Sequence, residues 1–164
     1  MNAAARRPIL IRNVVFGVED SLVSTVGLLS GISAGGADRA VILLTGFVLI
    51  FVEAFSMAVG SFLSEETSEE YSAHREVSLR GPVLGGTVMF VSYFLSGFVP
   101  LLPYVILGAS AFWISILASL AALAVLGSVS ARLLGLSVRR GGLRALFVGG
   151  IAVLAGVIIG NLVR

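Results

Sequence analysis

Residues 40–63 read AVILLTGFVLIFVEAFSMAVGSFL, a stretch whose single charged side chain is Glu53. About 20 apolar residues suffice to cross roughly 30 Å of hydrocarbon as an α-helix, so this stretch is expected to span a membrane. Four further apolar blocks flank it, at residues 14–33, 82–101, 104–127 and 145–163. The 164-residue chain is 57% hydrophobic and 12% charged, too few charges to clothe a water-soluble domain. The expected fold is therefore all-α: a polytopic membrane protein with five transmembrane helices, forming a single domain over residues 1–164.

The punctuation between the blocks supports this division. Gly35-Gly36-Ala37-Asp38 marks a first turn, residues 64–81 form the one long polar segment, and Pro100 and Pro103 are expected to bracket a tight turn. Residues 132–144 form a basic loop with Gly135, Gly141 and Gly142. The chain has no lysine; all 11 basic residues are arginine. Arg6, Arg7, Arg12, Arg75, Arg80, Arg132, Arg139, Arg140 and Arg144 fall on one side of the membrane, leaving Arg39 and Arg164 on the other. The positive-inside rule places the larger set in the cytoplasm, with the N-terminus inside and the C-terminus outside. The first block also has the layout of a signal peptide, with Arg6 and Arg7 ahead of it and Ser33-Ala34-Gly35 behind, but Glu19-Asp20 within its apolar region counts against that reading.

Several functions lack their residues. Without cysteine there is no disulfide, iron–sulfur cluster or thiolate site. No glycine-rich phosphate loop is present, and the single histidine lies in an acidic segment, away from any nucleophile–base set. No span carries an arginine ladder of the voltage-sensing kind. Neither an enzyme nor a bound cofactor is expected, and no nucleic acid is expected as a partner.

Chemistry is expected instead from Glu19, Asp20 and Glu53, which sit inside spans. An ionisable group at membrane depth costs about 3 kcal/mol or more and ordinarily faces a bundle interior or a water path. The alternative is a buried, protonated carboxyl bonded to a neighbouring helix. Successive helical residues point about 100° apart, so Glu19 and Asp20 do not share a line of sight. Counting about 1.5 Å per residue from the span ends places Asp20 and Met57 at similar depth and Glu53 near the midplane. Glu53 and Met57 share a helix face. Two carboxylates and a thioether make a ladder for a divalent cation, the sulfur tilting preference toward softer metals such as Fe²⁺; a lone methionine in a span otherwise packs.

Beyond residue 63 the helix is expected to continue out of the membrane. Glu65, Glu66, Glu69 and Glu70 follow closely, with Glu66, Glu69 and Glu70 on one face and His74 one turn further on. These residues form a candidate collecting site for a divalent ion; a solvated helix end is the bland alternative. Gly27, Gly31 and Gly35 recur at every fourth position of the first span, and Gly156 and Gly160 do so in the last. Such stripes permit close helix contact, within one chain or between two.

These residues resemble those of the vacuolar iron transporter family. The segment from Arg12 to Thr25, RNVVFGVEDSLVST, is similar to the family's opening motif, with Asp20 at the position of its path-lining aspartate. Ser56-Met57-Ala58-Val59-Gly60 resembles the family's Ser-Met-Ala-x-Gly, whose methionine is a proposed metal ligand. The resemblance implies five spans, export of Fe²⁺ or Mn²⁺ from the cytoplasm by proton antiport, and a homodimer with the ion path between its chains, for which the first span's glycines offer a contact. Two departures stand out. Many members follow the second motif with Glu where this chain has Ser61, for which Glu53 is a candidate substitute, and the long cytoplasmic metal-binding domain of full-length plant members is reduced to residues 64–81. The expected partners are transition-metal ions, protons, membrane lipid and a second copy of the chain. The expected location is the plasma membrane of a bacterium or a vacuole-like membrane of a eukaryote. A non-transporting membrane scaffold is the alternative function.

Overall fold

Hydrocarbon offers a backbone no hydrogen-bonding partner, so an apolar block that enters it has to satisfy its own N–H and C=O groups as a helix. The computed structural model, which describes residues 3–164, shows this for every block. Five helices are long and apolar enough to cross a membrane: α1 (Ala3–Ala34), α2 (Arg39–Ala73), α3 (Arg80–Leu107), α4 (Phe112–Leu133) and α5 (Val138–Val163). The protein is an all-helical integral membrane protein. The helices outrun the apolar blocks, because their polar ends also wind helically. The 35 residues of α2 reach about 52 Å at 1.5 Å per residue, well beyond a bilayer core.

Connections are short. Between α1 and α2, Gly36 takes a φ of 86°, and the Asp38 side chain caps α2 by accepting from the Val41 N–H at 2.9 Å. The turn expected between Pro100 and Pro103 is not there. Helix α3 runs through both prolines, and the chain reverses instead at a short 3-10 turn, Gly108–Ala111, where Gly108 has a φ of 66°. Neighbouring membrane helices support a proline-interrupted helix that a solvated one would abandon. The basic loop is shorter than expected, since α5 begins at Val138 and carries Arg139, Arg140 and Arg144.

Helix α1 packs mainly against α3 and α5 and more lightly against α4 and α2, and α2 lies mainly along α3. Leu22, Val26 and Leu29 of α1 are buried with Ile42 and Ile50 of α2 and Leu101 of α3. Outward-facing Leu44, Phe55, Leu117 and Ile151 are exposed, as lipid-facing residues are. The two glycine stripes meet within the chain. A Cβ on Gly31 would lie 2.8 Å from the Gly156 carbonyl oxygen, and one on Gly156 would lie 2.0 Å from that of Gly27. The first span's glycines thus face α5 of the same chain.

Adding a methyl where two backbones touch forces them apart at a cost of about 1–3 kcal/mol. Gly156→Ala is expected to lower the Tm of purified protein by several degrees. Gly150→Ala, whose Cβ would meet nothing within 4 Å, should leave it unchanged. Equal Tm values would contradict the close α1–α5 approach.

Candidate metal path

Three helices carry the candidate path. Asp20 stands on α1, and Glu53 and Met57 stand one turn apart on α2; all three side chains are partly buried. Asp20 and Glu53 are near enough to act on one another electrostatically, and both act on Tyr93 of α3. Tyr93 is fully buried and tied to α1 twice. The Ser21 hydroxyl donates to its carbonyl at 2.7 Å, and the Ser24 hydroxyl pairs with its phenolic oxygen at 2.8 Å. Ser21 and Ser24 follow Asp20 within the next turn of α1, so these bonds to α3 fix the rotation of the stretch of α1 that carries Asp20. Glu19 points elsewhere, as the 100° step requires. It lines a separate 250 Å³ cleft between α1, α4 and α5, together with Ser130 and Arg144.

A second polar region lies at the arginine-rich end. The start of α1, the end of α2 and the segment leading into α3 enclose a cavity of 710 Å³, lined by Arg6, Arg12, Glu65, Glu69, Arg75 and Glu76 among others. Glu65 is only 7% exposed, and its Oε2 has no hydrogen-bond partner, nor has Oε1 of Glu69. Arg6 approaches Glu69 as an ion pair at 3.6 Å. Behind Glu65, the fully buried Asn13 ties three helices together, its Nδ2 donating to the Ser61 hydroxyl at 2.9 Å and to the Gly85 carbonyl at 3.1 Å. Gly85 makes room for this arrangement, since a Cβ there would lie 2.1 Å from Glu65 Oε2.

The VIT family model matches residues 11–81 and 68–161, nearly the whole chain. The chain belongs to the VIT family. Among curated proteins it is similar to vacuolar iron transporter homolog 1 of Oryza sativa subsp. japonica, at 30% identity over 87% of this chain and 68% of that protein. It is also similar to vacuolar iron transporter homolog 4 of Arabidopsis thaliana, at 32% identity over 60% of this chain and 54% of the relative. Vacuolar iron transporter 1 of Arabidopsis thaliana matches at 28% identity over 39% of this chain and 26% of its own length. The chain thus spans about half or less of several of these relatives.

In this VIT-family chain the expected collecting residues divide. Glu65 and Glu69 turn into the cavity, whereas Glu66 and Glu70 do not line it. His74 is not carried on their face: α2 stops at Ala73, and His74 takes the left-handed conformation, with φ 51°, while its ring stacks near Tyr71. Among the described residues, no three His, Cys, Asp or Glu side chains converge as a metal cluster. The sequence does not mark Asn13, Gly81 and Gly85 as part of a site, and it gives Arg6 a part only in orientation. A fully polar Asn13 at the edge of an apolar span was the available signal. Glu65, one turn past Ser61, is the carboxylate that the structure sets beside the Asn13–Ser61 bond.

Removing a buried side chain that serves two partners leaves them unsatisfied, at about 1–3 kcal/mol. Asn13→Ala is expected to lower the Tm in detergent. Asn161→Ala is the control, because Asn161 is exposed and bonds its own helix at Val157. A Tm loss confined to Asn161→Ala would contradict the assignment.

Proposed function

We propose that this chain exports Fe²⁺, and also Mn²⁺, from the cytoplasm in exchange for protons. The observation that carries the reading is that Asp20 of α1 and Glu53 of α2, both partly buried at membrane depth, lie within electrostatic reach of one another, with Met57 one turn along α2. Two carboxylates in a water-poor region repel one another, and a dication placed between them removes that repulsion. The thioether adds a soft ligand, which Fe²⁺ accepts more readily than Mg²⁺ does. The relatives named as vacuolar iron transporters support iron as the cargo. They also favour a vacuole-type membrane, the plasma membrane being the bacterial equivalent. Protons arriving from the far side neutralise the carboxylates and release the metal there.

A homodimer completes the path. One chain offers two carboxylates and a sulfur, fewer donors than a divalent ion ordinarily gathers, and these groups are only partly buried. A second copy covering that side of α1 and α2 supplies the missing ligands and shields the acids from lipid. The glycine stripe of α1 is occupied by α5, so the contact uses the face of α1 that carries Asp20. That no three acidic or histidine ligands converge among the described residues also suits a non-transporting scaffold; the same assay separates the two.

Inverted vesicles containing the protein are expected to take up Fe²⁺, faster when the lumen is more acidic than the bath. Asp20→Ala should abolish uptake, and Glu53→Gln should reduce it severely. Uptake unaltered by Asp20→Ala removes that residue from the path, and the absence of flux in the parent protein favours the scaffold.

A further inference from the structure

The cavity at the arginine-rich end poses an electrostatic problem that its hydrogen bonds do not solve. Glu65 and Glu69 sit one helical turn apart on α2, and both turn inward. Glu65 is 7% exposed, yet its Oε2 receives no hydrogen bond, and the same holds for Oε1 of Glu69. A buried carboxylate oxygen without a donor is costly unless a cation faces it. The nearest cation is Arg6, 3.6 Å from Glu69 Oε1. Charge-assisted hydrogen bonds are about 2.7–2.9 Å, so the guanidinium balances the charge without filling the coordination sites. Its position is built in. Gly81 of α3 lies so close beneath the Arg6 guanidinium that a Cβ there would overlap it, as Gly85 one turn later admits Glu65. The remaining charged groups on the wall are Arg12, Arg75 and Glu76; Arg12 leans on Asn13 at 3.2 Å.

We propose that Glu65 and Glu69 form a receiving seat for a divalent cation, and that Arg6 is its resident counter-ion, displaced when the metal arrives. The proposal rests on the transport reading and adds how the ion is admitted. A dication at about 2.0–2.6 Å from carboxylate oxygens carries twice the charge of a guanidinium at a shorter distance. The metal therefore wins the seat, at the cost of expelling Arg6. That cost sets a concentration threshold below which the mouth stays closed by its own side chain. All-oxygen ligands do not discriminate sharply among divalent ions, so the seat collects and the deeper Met57 selects.

The test uses Mn²⁺ itself as the probe, followed by its paramagnetic resonance on full-length protein in nanodiscs. An Asp20→Asn background weakens the deeper site. Arg6→Gln is expected to bind Mn²⁺ about tenfold more tightly, a change of about 1.4 kcal/mol. Adding Glu65→Gln or Glu69→Gln should cancel that gain, and Arg6→Lys should bind as the parent does, because it keeps the charge. Tm values confirm that each variant is folded. Unchanged or weaker binding in folded Arg6→Gln overturns the counter-ion role, as does Arg6→Lys behaving like Arg6→Gln. Asp20-dependent Fe²⁺ flux without Mn²⁺ binding at the mouth overturns the seat and leaves the transport reading standing. Loss of both binding and flux overturns both.

Discussion

Water is absent from the middle of a bilayer, so each polar group that a helix carries there has to find its partner inside the bundle. Much of this protein's interior obeys that constraint with short hydroxyl-to-carbonyl bonds, within a helix or to its neighbour. Ser30 donates to the Gly27 carbonyl at 3.0 Å, Ser115 to Pro100 at 2.6 Å and Ser119 to Ser115 at 2.7 Å. Asp20 and Glu53 differ, because each has another carboxylate among its electrostatic neighbours. Two acids within electrostatic reach of one another repel when both are charged. The hydroxyls of Ser21 and Ser24 beside Asp20 bind Tyr93 and hold this part of α1 against α3.

Helix α1 organises this register by giving different faces to different tasks. Its glycines allow α5 to approach to backbone contact. Its serines clamp Tyr93, and Asn13 near its polar end clasps α2 and α3 at once. The acid-bearing side is left over between these faces. Rotating α1 by a single residue would carry Asp20 about 100° away from α2, so the glycine seam and the serine clamp both constrain where the acid points, although neither touches a metal.

The number and kind of helices were legible in the sequence, because hydrocarbon permits little else to an apolar block and the blocks are clearly separated. The helix ends were less so. Rules learned from solvated chains end a helix near a proline, yet Pro100 and Pro103 lie within α3. At membrane depth, arithmetic along each helix gave Asp20 the depth of Met57 and put Glu53 one turn deeper, but rise per residue says nothing of which helix faces meet; the electrostatic reach between Asp20 and Glu53 comes from the packing of α1 beside α2. The arginine-rich mouth was harder. Spacing groups Glu66 with Glu69 and Glu70, but which face of α2 turns inward is decided by Gly81 and Gly85 on α3, whose missing side chains admit Arg6 and Glu65. That is a tertiary fact, and a periodic reading of α2 alone does not contain it.

The uninterrupted course of α3 has a mechanical corollary. Each proline deletes one N–H rung, so the carbonyls of Ser96 and Val99 lose their usual donors four residues on. The helix is consequently softer in its last third than in the stretch that holds Gly81, Gly85 and Tyr93. A bundle with one stiff end and one pliant end bends at the pliant end under load, and here that end lies away from the arginine-rich mouth.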